Sequence, residues 1–452
     1  MAANKSCRRS KNGDAWDDIV VDLYPFIRKY KDGHHERFLR STFVAASEDA
    51  AANRGVATRD VVIDDHGTGV SARLFLPSRA AATGRRLPLV MYIHGGSFCS
   101  ESAFGRTYHC YATSLAASSG ALVVSVEYRL APENPIPAAY DDAWAALRWM
   151  ASLSDPWLAD HADPGRTFLV GDSAGGNIAY HTAVRASKCH EQEDSRVVIE
   201  GLVMVQPYFW GADRLPSETD SDDVVFPAYG VDRLWPFVTA GDAGNDDPRI
   251  NPTDEEIASL RCKRVLVAVA ERDTLRDRGC RLAARVRHHC PSVGDNVTLA
   301  ESEGEDHSFH LHSPLRATSK RLMERVVQFI NQPAAAAVVS PPIVVLPDQM
   351  HAEILDGGET DSSAQQSMFG VPTRPFQDVF GYRQMLMKFS HGLTSAACTS
   401  TSLKIAQGKP RRRRYGLFLG RPMPSTMAYK NPVSVAAASS VVLQCSMLNG
   451  FF

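Results

Sequence analysis

The stretch Gly171-Asp-Ser-Ala-Gly175 decides the fold of this chain of 452 residues. An apolar run, Thr167–Val170, precedes it, and a segment compatible with a helix, Asn177–Val184, follows it. A G-x-S-x-G pattern between a strand and a helix is typical of a tight turn that raises a serine hydroxyl above a sheet. Glycines flank such a turn because they tolerate close contacts and backbone conformations that other residues do not. We therefore predict that Ser173 is an exposed nucleophile at the carboxyl end of a buried strand.

A second glycine-rich turn lies upstream. The apolar run Leu89–Ile93 predicts a strand, and His94-Gly-Gly-Ser97 follows it directly. When a serine attacks a carbonyl group, negative charge develops on the carbonyl oxygen, and N–H groups aimed at that position stabilise it. We predict that this oxyanion hole consists of the backbone N–H groups of Gly95, Gly96, Ser97 and Ala174. A serine stands here where an HGGG-type loop has its third glycine, so its side chain narrows the pocket.

A serine nucleophile of this type is followed along the chain by an acid and then by a histidine. The run Arg264–Ala270 predicts a buried strand, and acidic residues follow it. Asp273 lies nearer the end of that strand than Asp277 does, and parallel sheets place their sites at the carboxyl ends of strands. We predict that Asp273 is the acid. Asp277 is expected to be a solvated residue in the first turn of a helix.

Three histidines compete for the role of the base. After a short predicted strand, Asn296–Ala300, the chain contains His307, His310 and His312. His307 comes first, at a loop before a segment that resembles the start of a helix, and we predict that it is the base. It takes the proton from the serine hydroxyl and returns it to the leaving alcohol, while the acid holds the tautomer of the ring. The other two histidines are expected to pack or to face solvent.

Five segments of the chain together resemble the plant carboxylesterases, which belong to the hormone-sensitive-lipase-like branch of the α/β-hydrolases and are related to the gibberellin receptors. These segments are Tyr92–Phe98, Val126–Glu133, Pro137–Asp142, Gly171–Asn177 and Glu305–His307. The resemblance extends over residues 15–332. It implies an α/β-hydrolase fold with a mostly parallel, doubly wound sheet flanked by helices. It also implies an N-terminal segment that helps to cap the active site.

The resemblance further implies the hydrolysis of small or short-chain carboxylic esters through a covalent acyl-enzyme, without a metal or an organic cofactor. Two other functions occur on the same fold. The gibberellin receptors bind a hormone and lack the catalytic histidine, a position where this chain has His307. Some legume relatives are hydroxyisoflavanone dehydratases, in which threonine can replace the nucleophile that is Ser173 here. Both residues favour the esterase, although an elimination stays open as an alternative.

The alternation of strands and helices along the chain predicts right-handed crossovers and a mostly parallel sheet. Asp60–Ile63 and Val70–Leu76 predict an antiparallel hairpin at its edge. In Trp16–Ile27 apolar residues recur at helical spacing, which fits either a helix packed on the body or a flap over the pocket. We divide the chain into an N-terminal cap or lid segment of residues 1–55, a catalytic domain of residues 56–332 and a C-terminal extension of residues 333–452 that is expected to be disordered.

Composition limits the partners and the compartment. A formal net charge of −2 gives no electrostatic reason to expect nucleic acid or an anionic membrane as a partner, so a small-molecule ester is expected. Nine cysteines without a C-x-x-C pair predict reduced thiols. Met1–Ser10 lacks the apolar region of a signal peptide. These features predict a cytoplasmic protein, and the cluster Arg411–Arg414 leaves a nuclear address as an alternative.

Overall fold

The computed structural model of the protein describes residues 18–63, 69–189, 198–219 and 227–332. The strands in these ranges are β1 (Ile19–Leu23), β2 (Ile27–Tyr30), β3 (His35–Arg37), β4 (Val56–Val62), β5 (Ser71–Pro77), β6 (Leu87–Ile93), β7 (Leu122–Glu127), β8 (Ala162–Asp172), β9 (Ile199–Val205), β10 (Arg264–Ala270) and β11 (Val297–Ser302). The helices are α1 (Ser78–Ala81), α2 (Arg106–Ser119), α3 (Ala138–Ser152), α4 (Pro156–His161), α5 (Ala174–Cys189), α6 (Pro216–Thr219), α7 (Ala228–Val238), α8 (Asp254–Ala258), α9 (Arg276–His289), α10 (Phe309–His312) and α11 (Ala317–Asn331).

The larger sheet has the strand order β11-β10-β9-β8-β6-β7-β5-β4. The strands from β6 to β11 pair in parallel with one another. Strands β4 and β5 form an antiparallel hairpin, and β5 also pairs antiparallel with β7. The predicted, mostly parallel sheet and its edge hairpin are therefore confirmed, and β10 has the predicted limits.

Helices cover both faces of this sheet, which explains why its central strands are mostly apolar. Alternate residues of β10 enter two different cores. Val267 packs in the core that also contains residues of α3, α5 and α9, whereas Leu266 packs in the core that contains residues of α2 and α11. Since successive side chains of a strand point to opposite faces, a strand buried on both faces has no position left for a solvated residue.

The order of the strands fixes where the two glycine-rich sequences meet. After β6 the chain builds β7 on one side of it and then β8 on the other side. The carboxyl ends of β6 and β8 therefore flank a crevice of the kind in which open α/β sheets bind ligands. Ile93, the last residue of β6, pairs with Gly171 of β8. The loop after β6 and the turn after β8 thus lie side by side.

The interpretation of Trp16–Ile27 as a helix is wrong for its described part. Strands β1 and β2 occupy this segment and form a separate antiparallel sheet with β3. The run Ile19–Val21 consists of β-branched residues, which favour extended backbone. Pro25 then lacks the N–H that a continuing helix needs. Local conformational preference therefore outweighs the apparent helical spacing.

Some predictions concern segments that are not described. The C-terminal extension, residues 333–452, lies outside the described residues, and so do residues 1–17 and 220–226. Within the described ranges, no helix has both the length and the apolar character that crossing a membrane requires.

Candidate active site

Ser173 lies in the turn that joins β8 to α5. Its backbone has a φ of 51°, in the left-handed region that residues other than glycine rarely adopt. Its N–H donates to the carbonyl oxygen of Val205 at 2.9 Å, which ties the turn to β9. A Cβ on Gly171 would lie 2.2 Å from the carbonyl oxygen of Gly175, and a Cβ on Gly175 would lie 2.0 Å from that of Ile93. Backbone contacts therefore require both glycines.

The hydroxyl of Ser173 begins a continuous line of three hydrogen-bonded side chains. His307 Nε2 lies 3.0 Å from Ser173 Oγ, and His307 Nδ1 lies 2.9 Å from Asp273 Oδ2. The N–H of Leu275 donates to Asp273 Oδ1 at 2.9 Å and orients the carboxylate. The exposed fractions of Ser173, His307 and Asp273 are 5%, 5% and 1%, so the prediction that Ser173 is exposed is wrong. Because an ionised carboxylate only accepts hydrogen bonds, it keeps the proton of a neutral imidazole on Nδ1 and turns the Nε2 lone pair towards the serine.

The alternative acid has other partners. Asp277 lies in the first turn of α9, as predicted. Its carboxylate accepts the N–H of Ser217 at 2.9 Å and forms an ion pair with Arg276 at 2.8 Å, so it is engaged in packing contacts rather than solvated. Asp273, in the loop directly after β10, is the acid that His307 contacts.

The other two histidines lie outside this line. His310 is buried, and its ring packs against that of Tyr111 with 5.4 Å between the centroids. Burial lowers the pKa of His310 to about 3, so its ring is neutral at physiological pH. His312 is exposed. The predicted packing and solvent positions of these two residues are confirmed.

Three backbone N–H groups at the meeting point of the two loops have no protein acceptor among the described residues, namely those of Gly96, Ser97 and Ala174. Gly96 and Ser97 have φ values of 104° and 56°. A Cβ on Gly96 would lie 2.3 Å from the carbonyl oxygen of Ser100, so this position requires glycine. The serine at 97 adopts a left-handed conformation although it carries a side chain. N–H groups held in a turn without a protein partner are suited to bind an oxygen that gains negative charge.

The prediction that Gly95 belongs to the oxyanion hole is wrong. Its N–H donates to Tyr108 Oη at 3.0 Å and is therefore occupied. A Cβ at this position would lie 2.6 Å from Asp172 Oδ2 and 2.9 Å from Tyr108 Oη. Glycine is required here because the loop packs directly on these two side chains. The sequence pattern alone does not distinguish a glycine that frees an N–H from one that permits close packing.

Comparison with known proteins places the chain in a family. Residues 90–311 match the family model described as the alpha/beta hydrolase fold. The protein named probable carboxylesterase 5 of Arabidopsis thaliana is 38% identical over 324 residues, which cover 69% of this chain and 98% of that protein. The chain belongs to the plant carboxylesterase family. The chain is also 38% identical to the 2-hydroxyisoflavanone dehydratase of Glycyrrhiza echinata over 348 residues, which cover 73% of this chain and 100% of that protein.

Two further comparisons agree with this assignment. The chloroplastic tuliposide A-converting enzyme 2 of Tulipa gesneriana is 40% identical over 325 residues, covering 70% of the chain and 79% of that enzyme. A solved structure of a hyperthermophilic esterase from the archaeon Pyrobaculum calidifontis has a TM-score of 0.52 and 28% identity, covering 60% of this chain and 84% of that one. The predicted family and fold are confirmed, and the protein is a hydrolase.

The residue before Ser173 carries a buried carboxylate. Tyr92 Oη donates to Asp172 Oδ1 at 2.7 Å, and Tyr108 Oη donates to Asp172 Oδ2 at 3.0 Å. Burial raises the pKa of Asp172 to about 6 from its ordinary value of 3.8. Hydrogen bonds from the two tyrosines and the nearby charge of His307 act in the opposite direction and are outweighed. The carboxyl group is therefore ionised at neutral pH and begins to gain a proton in mildly acidic solution.

This raised pKa predicts a pH-dependent contribution to stability. Between about pH 4 and pH 6 the folded protein keeps a proton on Asp172 that the unfolded chain has lost, so the free energy of unfolding falls as the pH rises. Asp172→Asn removes this titration. The free energy of unfolding of the wild type minus that of the variant should therefore decrease by about 2 kcal/mol from pH 4 to pH 7, since one pKa unit corresponds to about 1.4 kcal/mol and the unfolded chain still holds part of the proton at pH 4. Urea unfolding of both proteins at several pH values measures the difference, and parallel curves would contradict the raised pKa.

The sequence reasoning missed the polar side chains that surround the loop after β6. Asp172 could have been noticed, because a charged residue directly after a buried apolar run needs hydrogen-bond partners. Tyr92, Tyr108 and Tyr128 gave none. They lie in β6, in α2 and directly after β7, and only the tertiary structure brings their hydroxyl groups to Asp172 and to the loop.

Proposed function

We propose that this protein hydrolyses small or short-chain carboxylic esters with Ser173 as the nucleophile, His307 as the general base and acid, and Asp273 as the acid that orients the histidine. The observation that carries the proposal is the line of hydrogen bonds from Ser173 Oγ through both ring nitrogens of His307 to Asp273. Membership in the plant carboxylesterase family and the likeness to a solved esterase support the same reaction.

The reaction has two halves. Ser173 Oγ attacks the ester carbonyl while His307 Nε2 takes its proton, and Asp273 stabilises the imidazolium that forms. The tetrahedral intermediate collapses, the bond to the alkoxy group breaks, and the alcohol leaves with the proton from Nε2. A water molecule then attacks the acyl-enzyme by the same route and releases the acid and the free serine. No step of this scheme requires a metal or an organic cofactor.

We assign the oxyanion hole to the N–H groups of Gly96, Ser97 and Ala174. All three are without a protein acceptor among the described residues, and the first two lie on the loop that neighbours the serine turn. The side chain of Ser97 occupies space that a glycine would leave open, which favours small acyl groups.

We also propose that the N-terminal segment, residues 1–55, caps this site, that residues 56–332 form the catalytic domain and that residues 333–452 add nothing to it. The described part of the segment is attached beside the loop after β6. Arg37 donates hydrogen bonds to the carbonyl oxygens of Cys99 and Ala131 and forms an ion pair with Glu133. A segment fixed there is positioned to limit the size of the substrate.

The test uses the p-nitrophenyl esters of acetate, butyrate and octanoate with the purified full-length protein. We expect turnover with acetate and butyrate and a markedly lower kcat/KM with octanoate. Labelling of Ser173 by a fluorophosphonate, identified by mass spectrometry of the peptide, tests the nucleophile independently. Folded protein that neither turns over the short esters nor reacts with the fluorophosphonate would contradict the proposal.

Two alternative functions, a receptor and a dehydratase, differ from this proposal in the chemistry that they require. A receptor without turnover does not need a base beside Ser173, so the contact with His307 favours an enzyme. A dehydratase is among the relatives, so elimination of water from a 2-hydroxyisoflavanone is the second candidate. Incubation with such a substrate distinguishes the two reactions, because elimination does not form an acyl-enzyme.

The cytoplasmic location stays a prediction. The six cysteines in the described ranges are free thiols, in agreement with a reducing compartment.

A further inference from the structure

Gly95 is held on both sides of its backbone by tyrosine hydroxyl groups. Its N–H donates to Tyr108 Oη at 3.0 Å. Its carbonyl oxygen accepts from Tyr128 Oη at 3.2 Å and from His94 Nδ1 at 2.7 Å. Tyr128 Oη also reaches the carbonyl oxygen of His94 at 2.9 Å, and the two rings stack with 4.3 Å between their centroids. Tyr108 and Tyr128 are 2% exposed, so water does not compete with these contacts. We call these two hydroxyl groups the tyrosine clamp.

The clamp determines the direction of the next N–H group. The peptide bond is planar and trans, so the carbonyl of Gly95 and the N–H of Gly96 point in opposite directions in one rigid plane. The hydrogen bonds that fix the carbonyl oxygen of Gly95 therefore also fix the N–H of Gly96, which points in the opposite direction. That N–H has no protein acceptor among the described residues.

The clamp also connects this loop to the nucleophile. Tyr108 Oη accepts from Gly95, so its own proton is free to go to Asp172 Oδ2, 3.0 Å away. Asp172 directly precedes Ser173 in the chain. A Cβ on Gly95 would meet Asp172 Oδ2 at 2.6 Å, which shows how closely the loop and the turn approach. The position of the loop is thus fixed relative to the residue beside the attacking serine.

We propose that Tyr108 and Tyr128 are positioning residues that aim the N–H of Gly96 at the oxyanion of the transition state. This inference rests on the proposed ester hydrolysis, because the clamp acts only through the assigned oxyanion hole. Interactions that stabilise charge in the transition state affect kcat more than substrate binding, and they depend on prior orientation of the donors.

The test compares Tyr108→Phe and Tyr128→Phe with Tyr92→Phe as the matched control. Tyr92 is also a buried tyrosine that donates to Asp172, but its hydroxyl does not contact the loop. For p-nitrophenyl butyrate we expect each clamp variant to lower kcat by about tenfold, a fraction of the effect of deleting a donor, with KM changed by less than about twofold. The affinity for a trifluoromethyl ketone, whose adduct with serine places an oxyanion in the same hole, should fall by a similar factor. Tyr92→Phe should leave both values within about twofold, although it removes a comparable buried hydrogen bond.

Several outcomes overturn the inference. One is a clamp variant with unchanged kcat and inhibitor affinity, and another is an equal loss in Tyr92→Phe, which indicates general destabilisation. The melting temperatures of all variants show whether one of them fails to fold. In that case the other clamp variant alone tests the inference, because each tyrosine makes its own hydrogen bond to Gly95. A wild type without turnover dependent on Ser173 overturns the proposed function and this inference together. Turnover that depends on Ser173 but keeps the wild-type kcat in both clamp variants overturns this inference alone.

Discussion

Ser173→Ala is expected to lower kcat/KM for p-nitrophenyl butyrate by at least about 10⁴-fold while the protein stays folded. The substitution removes the oxygen that we propose as the nucleophile and its hydrogen bond to His307 Nε2, and nothing else in the line of side chains replaces them. The methyl group of alanine fits the left-handed turn as well as the serine Cβ does. The residual rate should then come only from water held near His307 and the N–H groups of the hole.

A matched control for this variant is Ser125→Ala. Ser125 lies in β7 and is fully buried, and its hydroxyl has no hydrogen-bond partner among the residues that the structure describes. Its loss therefore removes a buried oxygen from the same sheet without touching the site. The control should retain activity within about twofold, since removing an unpaired buried hydroxyl is nearly neutral for stability. Steady-state rates and circular dichroism measure both variants. Retention of most activity in Ser173→Ala would exclude it as the nucleophile.

Asp273→Asn is expected to lower kcat by about 10⁴-fold with little change in KM, because it reverses the tautomer of His307. An asparagine keeps the shape of the carboxylate, and its carbonyl oxygen can still accept the N–H of Leu275. Its amide group then faces His307 Nδ1 as a donor. The ring responds by accepting at Nδ1 and carrying its proton on Nε2, where it can no longer take the proton from Ser173.

Asp277→Asn is the matched control for the acid. This residue binds Ser217 and Arg276, so its substitution should reduce stability slightly and leave kcat within about threefold. Rates measured from pH 5 to pH 9 compare the variants. An equal loss of kcat in both, or a larger loss in Asp277→Asn, would contradict the assignment of Asp273.

Much of this site follows from local sequence because strand ends and glycine turns are local signals. The apolar run before Asp273 is short, continuous and rich in valine, which favours a strand buried on both faces, so its end, and with it the predicted acid, could be located. The turn around Ser173 requires glycines at fixed distances in the sequence. His307 could be chosen among three histidines by its place in a loop, and the structure brings it to Ser173 and Asp273. The catalytic roles of Ser173, His307 and Asp273 stay a prediction.

Other features could not be read in this way. Trp16–Ile27 has apolar residues at a spacing that fits a helix, but β-branched residues and Pro25 produce two strands instead. The glycine-rich pattern predicts Gly95 as an oxyanion donor, because nothing in the local sequence indicates that Tyr108 accepts its N–H.

The sequence by itself determined the alternation of strands and helices that builds the mostly parallel sheet, the two glycine turns and the family, because each depends on residues that are neighbours in the chain. The tertiary structure alone decided which N–H groups face the site and which hydroxyl groups hold them. Tyr92, Tyr108 and Tyr128 come from three different elements and converge only because β8 lies beside β6 and β7 lies on its other side. The physical reason is that hydrogen bonds in a buried site depend on distance and direction in space, and separation along the chain specifies neither.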